Sequence, residues 1–119
     1  MEDEVVAKPL FKGRAFEISE IVLNGRNLVK DFMTKNLTKD EQRKIIALFK
    51  YTAEQGIHPS DEKFKHIKDN VYEFKSYQTR VFCAIQKGRL ILLLHGVKKK
   101  KNKTNKVDIA KALNLLSKI

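Results

Sequence analysis

The chain has 119 residues, of which 42% are hydrophobic and 33% are charged. That length fits one globular domain with its own core, and the composition excludes an intrinsically disordered or collagen-like chain. Its 25 basic and 14 acidic residues leave a net charge of +11, which predicts an acidic partner: nucleic acid first, an anionic membrane surface second and an acidic protein third.

The sequence predicts a cytoplasmic protein. No apolar run reaches the roughly 18 residues that a membrane-spanning helix needs, and the acidic start of the chain lacks the apolar segment of a secretory signal. The single cysteine, Cys83, lies in a strand-like stretch, where we expect it to act as a small buried hydrophobe. A chain that cannot form an internal disulfide is expected in a reducing compartment.

The first half of the chain predicts one strand and two helices. The strand lies within residues 15–25, where apolar residues partly alternate before an Asn-Gly turn. A short helix follows at residues 27–33, where apolar residues recur at helical spacing. The clearest helix begins at a capping box formed by Thr38 and Glu41 and ends at Gly56, which suits a left-handed helix end. The short connection between the helices predicts an antiparallel helical hairpin.

In the second half of the chain, apolar residues recur at every second position, as in a strand. Residues 70–97 alternate between apolar and polar, with turns expected at residues 76–79 and 86–88. We therefore predict a three-stranded antiparallel meander, whose last strand is apolar enough to be covered on both faces. After a lysine-rich segment, a terminal helix is predicted with Asn105 as its N-cap.

These elements together predict an α+β fold. We expect a small antiparallel or mixed sheet of about four strands, with the N-terminal helical hairpin packed on one face and a helix at the C-terminus. The other face of the sheet would then have little to cover it and could form a concave, partly polar surface.

A set of charged residues is the strongest candidate for a functional site. No metal-ligand spacing joins the three histidines, and no glycine-rich phosphate loop or hydrolase nucleophile motif is present. Strand alternation places Glu73 and Lys75 on one face, and Arg80 is expected on the same side of the next strand. His95 and the lysine run from Lys98 follow at the end of the last strand. Such cations can stabilise a phosphodiester in its pentacovalent state, and a lysine or histidine can move the proton of a 2′-hydroxyl.

Each of these features also has an ordinary structural interpretation. A lysine run at a strand end is most often a solvated loop. His95 could be a structural histidine, and Arg80 could simply pair with Glu73 across a hairpin. Tyr77, in a predicted turn, could be exposed and stack on a base, or it could have no partner at all.

Four segments resemble one toxin family. The stretches "LVKDFM", "AEQG", "VYEFKSYQTRVFCAI" and "RLILLLHGVKKKKNKTNKVDIAKA" stand in the order seen in the HigB-like branch of the RelE/ParE superfamily. The resemblance runs from about Phe16 to the C-terminus. It implies that residues 1–119 form one RelE-like toxin domain in which residues 1–14 are an N-terminal extension.

The resemblance also implies a function. The chain would be the toxin of a type II toxin–antitoxin system and a ribosome-dependent endoribonuclease, or mRNA interferase. Such an enzyme cleaves translated mRNA by attack of a 2′-hydroxyl on the adjacent phosphate, without a metal or other cofactor. Its partners would be the ribosome, mRNA and a cognate antitoxin, which is usually a small helix-turn-helix protein, and no membrane is implied.

Residue by residue, the match is close but incomplete. Glu73 and Arg80 fall on charged positions of the family pattern, whereas Lys75 stands where the family usually has arginine, so that a bidentate phosphate contact becomes a point charge. The predicted catalytic residues are Arg80, Lys75, His95 and Lys99. The predicted RNA-binding residues are Glu73, Lys98, Lys99, Lys100, Lys101 and Lys103.

Two other functions remain open on the sequence. One is a non-enzymatic, ParE-like inhibitor of DNA gyrase, which uses the same fold. The other is a nucleic-acid-binding module without catalysis. Fold alone does not separate them, but the lysines at the strand end and His95 favour RNA cleavage.

Overall fold

A computed structural model describes residues 2–99 and 105–119 of the chain. Within them the fold is α+β, with one mixed sheet and three helices. The elements in chain order are β1 (Val5–Lys12), β2 (Glu17–Leu23), β3 (Arg26–Asn27), α1 (Leu28–Asn36), α2 (Lys39–Gln55), β4 (Phe64–Lys68), β5 (Val71–Ser76), β6 (Thr79–Gln86), β7 (Leu90–Lys98) and α3 (Lys106–Ser117). None of these helices is long and apolar enough to cross a membrane.

The sheet is larger than the sequence predicted. It has seven strands in the order β1-β2-β7-β6-β5-β4, with the short β3 paired to β2. The expectation of about four strands was therefore wrong, because β1, β3 and β4 were not recognised. The pairs are antiparallel except for β2 with β7, which is parallel.

The two longer missed strands lie at the edges of the sheet. Six of the eight residues of β1 are exposed, and its register shifts between Pro9 and Phe11. A proline is tolerated in an edge strand because its missing N–H would face solvent. In β4 the register shifts between His66 and Lys68. An edge strand that is exposed or bulged lacks the strict alternation by which a half-buried strand is recognised in sequence.

The two helices predicted in the first half of the chain are present, and both pack on one face of the sheet, here called the hairpin face. The N–H of Glu41 donates to Thr38 Oγ1 at 3.1 Å, and the N–H of Thr38 donates to Glu41 Oε1 at 2.9 Å, which confirms the capping box. Gly56 ends α2 with φ of 97°. Phe49 of α2 packs edge-on against Phe74 of β5, with ring centroids 5.0 Å apart.

The opposite face, here called the α3 face, is not left open. The N–H of Val107 donates to Asn105 Oδ1 at 2.8 Å, so the predicted N-cap of α3 is confirmed. Ala112 and Leu115 of α3 pack in a second apolar cluster that includes Phe82 and Leu92. The C-terminal helix therefore covers part of the face that we expected to be bare.

A bulge decides which way the end of β7 faces. Phe82 pairs with His95, whereas the next residue, Cys83, pairs with Leu93. Leu94 is thus an extra residue on β7, and both Leu94 and His95 lie on the α3 face. Because a bulge shifts the alternation by one residue, sequence alternation alone assigns His95 to the wrong face.

Candidate nucleic-acid interface

Three predicted residues meet on the α3 face. Lys75 of β5 lies directly opposite Arg80 of β6, and Glu73 lies two residues before Lys75 on the same side. Glu73 Oε1 is 3.9 Å from Arg80 Nε, and both side chains are almost fully buried. The expectation that these three residues share a face is confirmed, and so is the interpretation that Arg80 pairs with Glu73.

The guanidinium of Arg80 is held in place by the turn between β5 and β6. Its Nη1 donates to the backbone carbonyl of Tyr77 and, at 3.1 Å, to that of Thr79. A guanidinium bound to both backbone and carboxylate has little rotational freedom. It is therefore a preorganised positive charge of the kind that stabilises anionic states most effectively.

Several cations surround the carboxylate of Glu73. Burial raises the pKa of Glu73, while the positive charges of Arg80, Lys75, Lys99 and Lys65 oppose that rise. Lys65 lies opposite Glu73 on β4 and was missed because β4 was not predicted. The lysines on this face nearest to solvent are Lys65, which is exposed, and Lys75, which is half-buried.

The structure separates the first two lysines of the run. Lys98 reaches Glu41 at the start of α2, with Nζ 2.9 Å from Oε2, on the hairpin face. Lys99 reaches Asp108 of α3, with Nζ 2.8 Å from Oδ2, on the α3 face. Lys99 therefore joins the residues around Glu73 and Lys98 does not. The predicted RNA-binding residues Lys100, Lys101 and Lys103 lie outside the described residues.

His95 links β7 to α3. Its ring stacks on Phe82 with centroids 4.8 Å apart, and its Nε2 donates to the backbone carbonyl of Asp108 at 2.9 Å. This bond leaves Nδ1 as the deprotonated nitrogen, and within residues 2–99 and 105–119 no group hydrogen-bonds to it. Burial lowers the pKa of His95. The imidazole, which is only 2% exposed, is therefore favoured in its neutral form.

Packing explains why residue 96 is a glycine. A Cβ atom on this residue would collide with the ring of Phe32 from α1. The close approach of α1 to β7 therefore requires glycine here, whatever the residue's place in the toxin motif.

The arrangement suits an anionic polymer more than a small molecule. Lys75 and Lys65 lie at the solvent side of a fixed cluster, where they can contact phosphates, and Arg80 lies deeper. Such contacts weaken as salt rises because counterions are released on binding. In the part of the chain that the structure describes, no three His, Cys, Asp or Glu side chains are grouped to hold a metal ion.

Comparison with known proteins identifies the family. Residues 33–117 match the family described as "Phage derived protein Gp49-like (DUF891)", and this span includes every predicted site residue. No match was found among curated proteins. The matched family is RelE-like and is associated with toxins of toxin–antitoxin systems, whose partners are cognate antitoxins. Because the match covers more than half of the chain, the protein belongs to the Gp49-like family of toxin–antitoxin toxins.

Proposed function

We propose that this toxin is a ribosome-dependent endoribonuclease of the HigB-like type, which cleaves mRNA during translation. The observation that carries the proposal is the convergence of Lys75, Arg80 and Lys99 around the buried carboxylate of Glu73. An ordinary surface cluster would leave its charges mobile in solvent. Here Arg80 is tied to the backbone of the turn that joins β5 to β6, so the positive charge is fixed before a substrate arrives.

The proposed reaction needs only charge and proton transfer. The 2′-oxygen of one ribose attacks the adjacent phosphorus, the bond to the 5′-oxygen breaks, and the products carry a 2′,3′-cyclic phosphate and a 5′-hydroxyl. Lys75, Lys99 and Arg80 would stabilise the negative charge that builds on the phosphate oxygens. One proton leaves the 2′-hydroxyl and one is delivered to the 5′-oxygen, so no net proton is consumed.

The reaction also needs a group that carries the proton. We predicted His95 or a lysine of the run for this role. His95 has its Nε2 proton engaged by Asp108, so it can act only through Nδ1 or after α3 shifts. Glu73, predicted as an RNA-binding residue, has a pKa that burial raises, and a carboxyl with a raised pKa is better matched to proton exchange near neutral pH.

The proposed partners follow from this reaction. The ribosome presents a dense array of phosphates, which suits a chain with a net charge of +11. We further propose that the whole chain acts as one toxin domain in the cytoplasm, and that its antitoxin is a small helix-turn-helix protein. A gene for such a protein next to the toxin gene would support this.

Mapping of mRNA 5′ ends after induction in a bacterium tests the proposal. Wild-type protein should produce codon-phased cuts in translated messages, and Lys75→Ala should reduce them at least about 100-fold by removing a charge that contacts the phosphate. The matched control is Lys12→Ala, which removes an exposed lysine from the opposite edge of the sheet and should leave cleavage within about twofold. Thermal unfolding would verify that both variants fold.

The alternatives give different outcomes. Uncut messages accompanied by DNA damage would favour gyrase inhibition. Uncut messages without DNA damage would favour a nucleic-acid-binding module.

A further inference from the structure

A second basic surface lies beyond the tip of the β5–β6 hairpin. Here α2, the loop before β4 and the hairpin turn enclose a cleft of about 340 Å³. The residues that form its floor and rim include Lys44, Leu48, Tyr51, His58, Lys63 and Tyr77. That volume is within the range of about 300–1,000 Å³ that is common for small-ligand sites. None of these residues belongs to the cluster around Glu73.

Tyr77 forms the exposed wall of this cleft. It is 73% exposed although it is a large aromatic residue. Its backbone has φ of 56°, a left-handed conformation that is unfavourable for a bulky side chain and suits glycine or asparagine. A strained and solvent-exposed tyrosine contributes little to folding, so its presence at the turn calls for another reason.

Two ammonium groups flank the ring of Tyr77. Lys44 Nζ lies 4.6 Å from the ring centroid and Lys63 Nζ lies 5.6 Å from it. Lys44 also pairs with Asp40 at 3.0 Å. An aromatic face with cations beside it is the combination that binds single-stranded nucleic acid, because bases stack on the ring while the cations contact the phosphates.

The cleft is connected to the phosphate cluster by two backbone contacts. The carbonyl of Tyr77 accepts a hydrogen bond from Arg80 Nη1. The carbonyl of Lys63 accepts one from the N–H of Lys75 at 2.8 Å. These bonds tie the backbone of the cleft, on the hairpin face, to the strands that carry Lys75 and Arg80 on the α3 face, with the turn between β5 and β6 lying between the two sites.

We propose that this cleft binds a base of single-stranded RNA, stacked on Tyr77, on the same strand as the nucleotide whose phosphate lies at Lys75 and Arg80. The incoming base replaces one ammonium on the ring face, and the displaced lysine contacts an RNA phosphate. The inference rests on the proposed function, since both assign RNA as the ligand. It adds a base-binding subsite that holds the substrate without taking part in bond cleavage.

Binding of a short RNA to the full-length protein tests the subsite. The probe is a fluorescein-labelled hexaribonucleotide with 2′-O-methyl groups, which cannot undergo 2′-attack, and fluorescence anisotropy gives its Kd. Tyr77→Asn removes the ring at a position where asparagine suits the backbone, so the fold should be retained or stabilised. We expect Tyr77→Asn to weaken binding by about tenfold or more.

Two further variants separate stacking from other causes. Tyr77→Phe keeps the ring and should bind within about twofold of wild type. Lys63→Ala should weaken binding and reduce the dependence of Kd on salt by roughly one phosphate contact. Equal affinity of wild type and Tyr77→Asn would overturn the inference, and so would equal affinity of the wild type for the hexamer and for duplex RNA, in which the bases are already stacked.

The same variants distinguish this inference from the proposed function. If wild type fails to cut messages but binds the hexamer in a Tyr77-dependent way, the nuclease proposal fails and the subsite stands. If wild type cuts messages while Tyr77→Asn binds and cuts equally well, the subsite fails and the nuclease proposal stands.

Discussion

The two faces of the sheet bury different kinds of residue. On the hairpin face, Phe74, Val81 and Cys83 are completely buried beneath α1 and α2. On the α3 face the same strands bury Glu73 and Arg80, and β7 buries His95. Apolar burial stabilises a fold directly, whereas a buried ion pair often contributes less than apolar residues of the same size. The comparison indicates that the hairpin face is stabilised by apolar burial throughout, whereas the α3 face combines an apolar cluster with buried charge that is retained at some cost.

The largest loss of stability is expected from a substitution on the hairpin face. Phe49→Ala should lower the free energy of unfolding by about 3–5 kcal/mol, because it removes a buried ring and leaves a cavity beside Phe74. Urea unfolding followed by circular dichroism measures the change. Phe49→Leu, which keeps most of the volume, should cost clearly less. A loss below about 1 kcal/mol in Phe49→Ala would show that this face is not the main source of stability.

A smaller loss of stability is expected from a substitution on the α3 face, and a second substitution should restore it. Arg80→Met should cost on the order of 3 kcal/mol, because Glu73 loses a cation that offsets the cost of its burial. Adding Glu73→Leu to Arg80→Met should restore most of that stability while RNA cleavage stays absent. Urea unfolding and message mapping on the same variants give both quantities. A double variant that is no more stable than the single one would contradict the assignment of cost to this face.

The smallest effect concerns pH. Because the pKa of His95 is lowered by burial, the unfolded chain takes up a proton in acid before the folded one does. Stability should therefore fall as pH drops below the unfolded-state pKa of about 6.5, by at most about 1.4 kcal/mol per pH unit. Asp108 and Lys111 on α3 and Lys99 after β7 modulate this shift.

The variant His95→Gln isolates that contribution. The raised pKa of Glu73 acts in the opposite direction, since acid relieves the cost of its burial, so the difference between the two proteins is the informative quantity. Denaturation midpoints measured from pH 7 to pH 5 should fall less steeply in His95→Gln than in wild type. Parallel curves would mean that His95 is not held neutral by the fold.

Elements with strong local signals could be predicted from the sequence. The capping box at Thr38, the end of α2 at Gly56 and the cap of α3 at Asn105 each depend on residues close in the chain. The meander could be predicted because its strands have at least one buried face. Edge strands β1 and β4 could not, since their burial pattern carries no clear period.

The site was predictable only where register follows alternation. Glu73, Lys75 and Arg80 lie on adjacent strands joined by a tight turn, so their common face could be inferred. The bulge at Leu94 changes the face on which His95 lies, and no residue pattern in the sequence indicates this bulge. Lys65 could not be placed because β4 was not recognised as a strand, and Asp108 could not because no sequence pattern shows which face of the sheet α3 covers.

The parallel pairing of β2 with β7 has a consequence for the order of folding. Among the described residues, β2 is joined to β7 by four residue pairs, from Glu17–Leu90 to Glu20–Leu93. During synthesis the β1–β2 pair therefore cannot join the rest of the sheet until β7 is available. Contacts that join such distant parts of a chain form slowly. The nascent toxin thus completes its sheet only after β7 has left the ribosome.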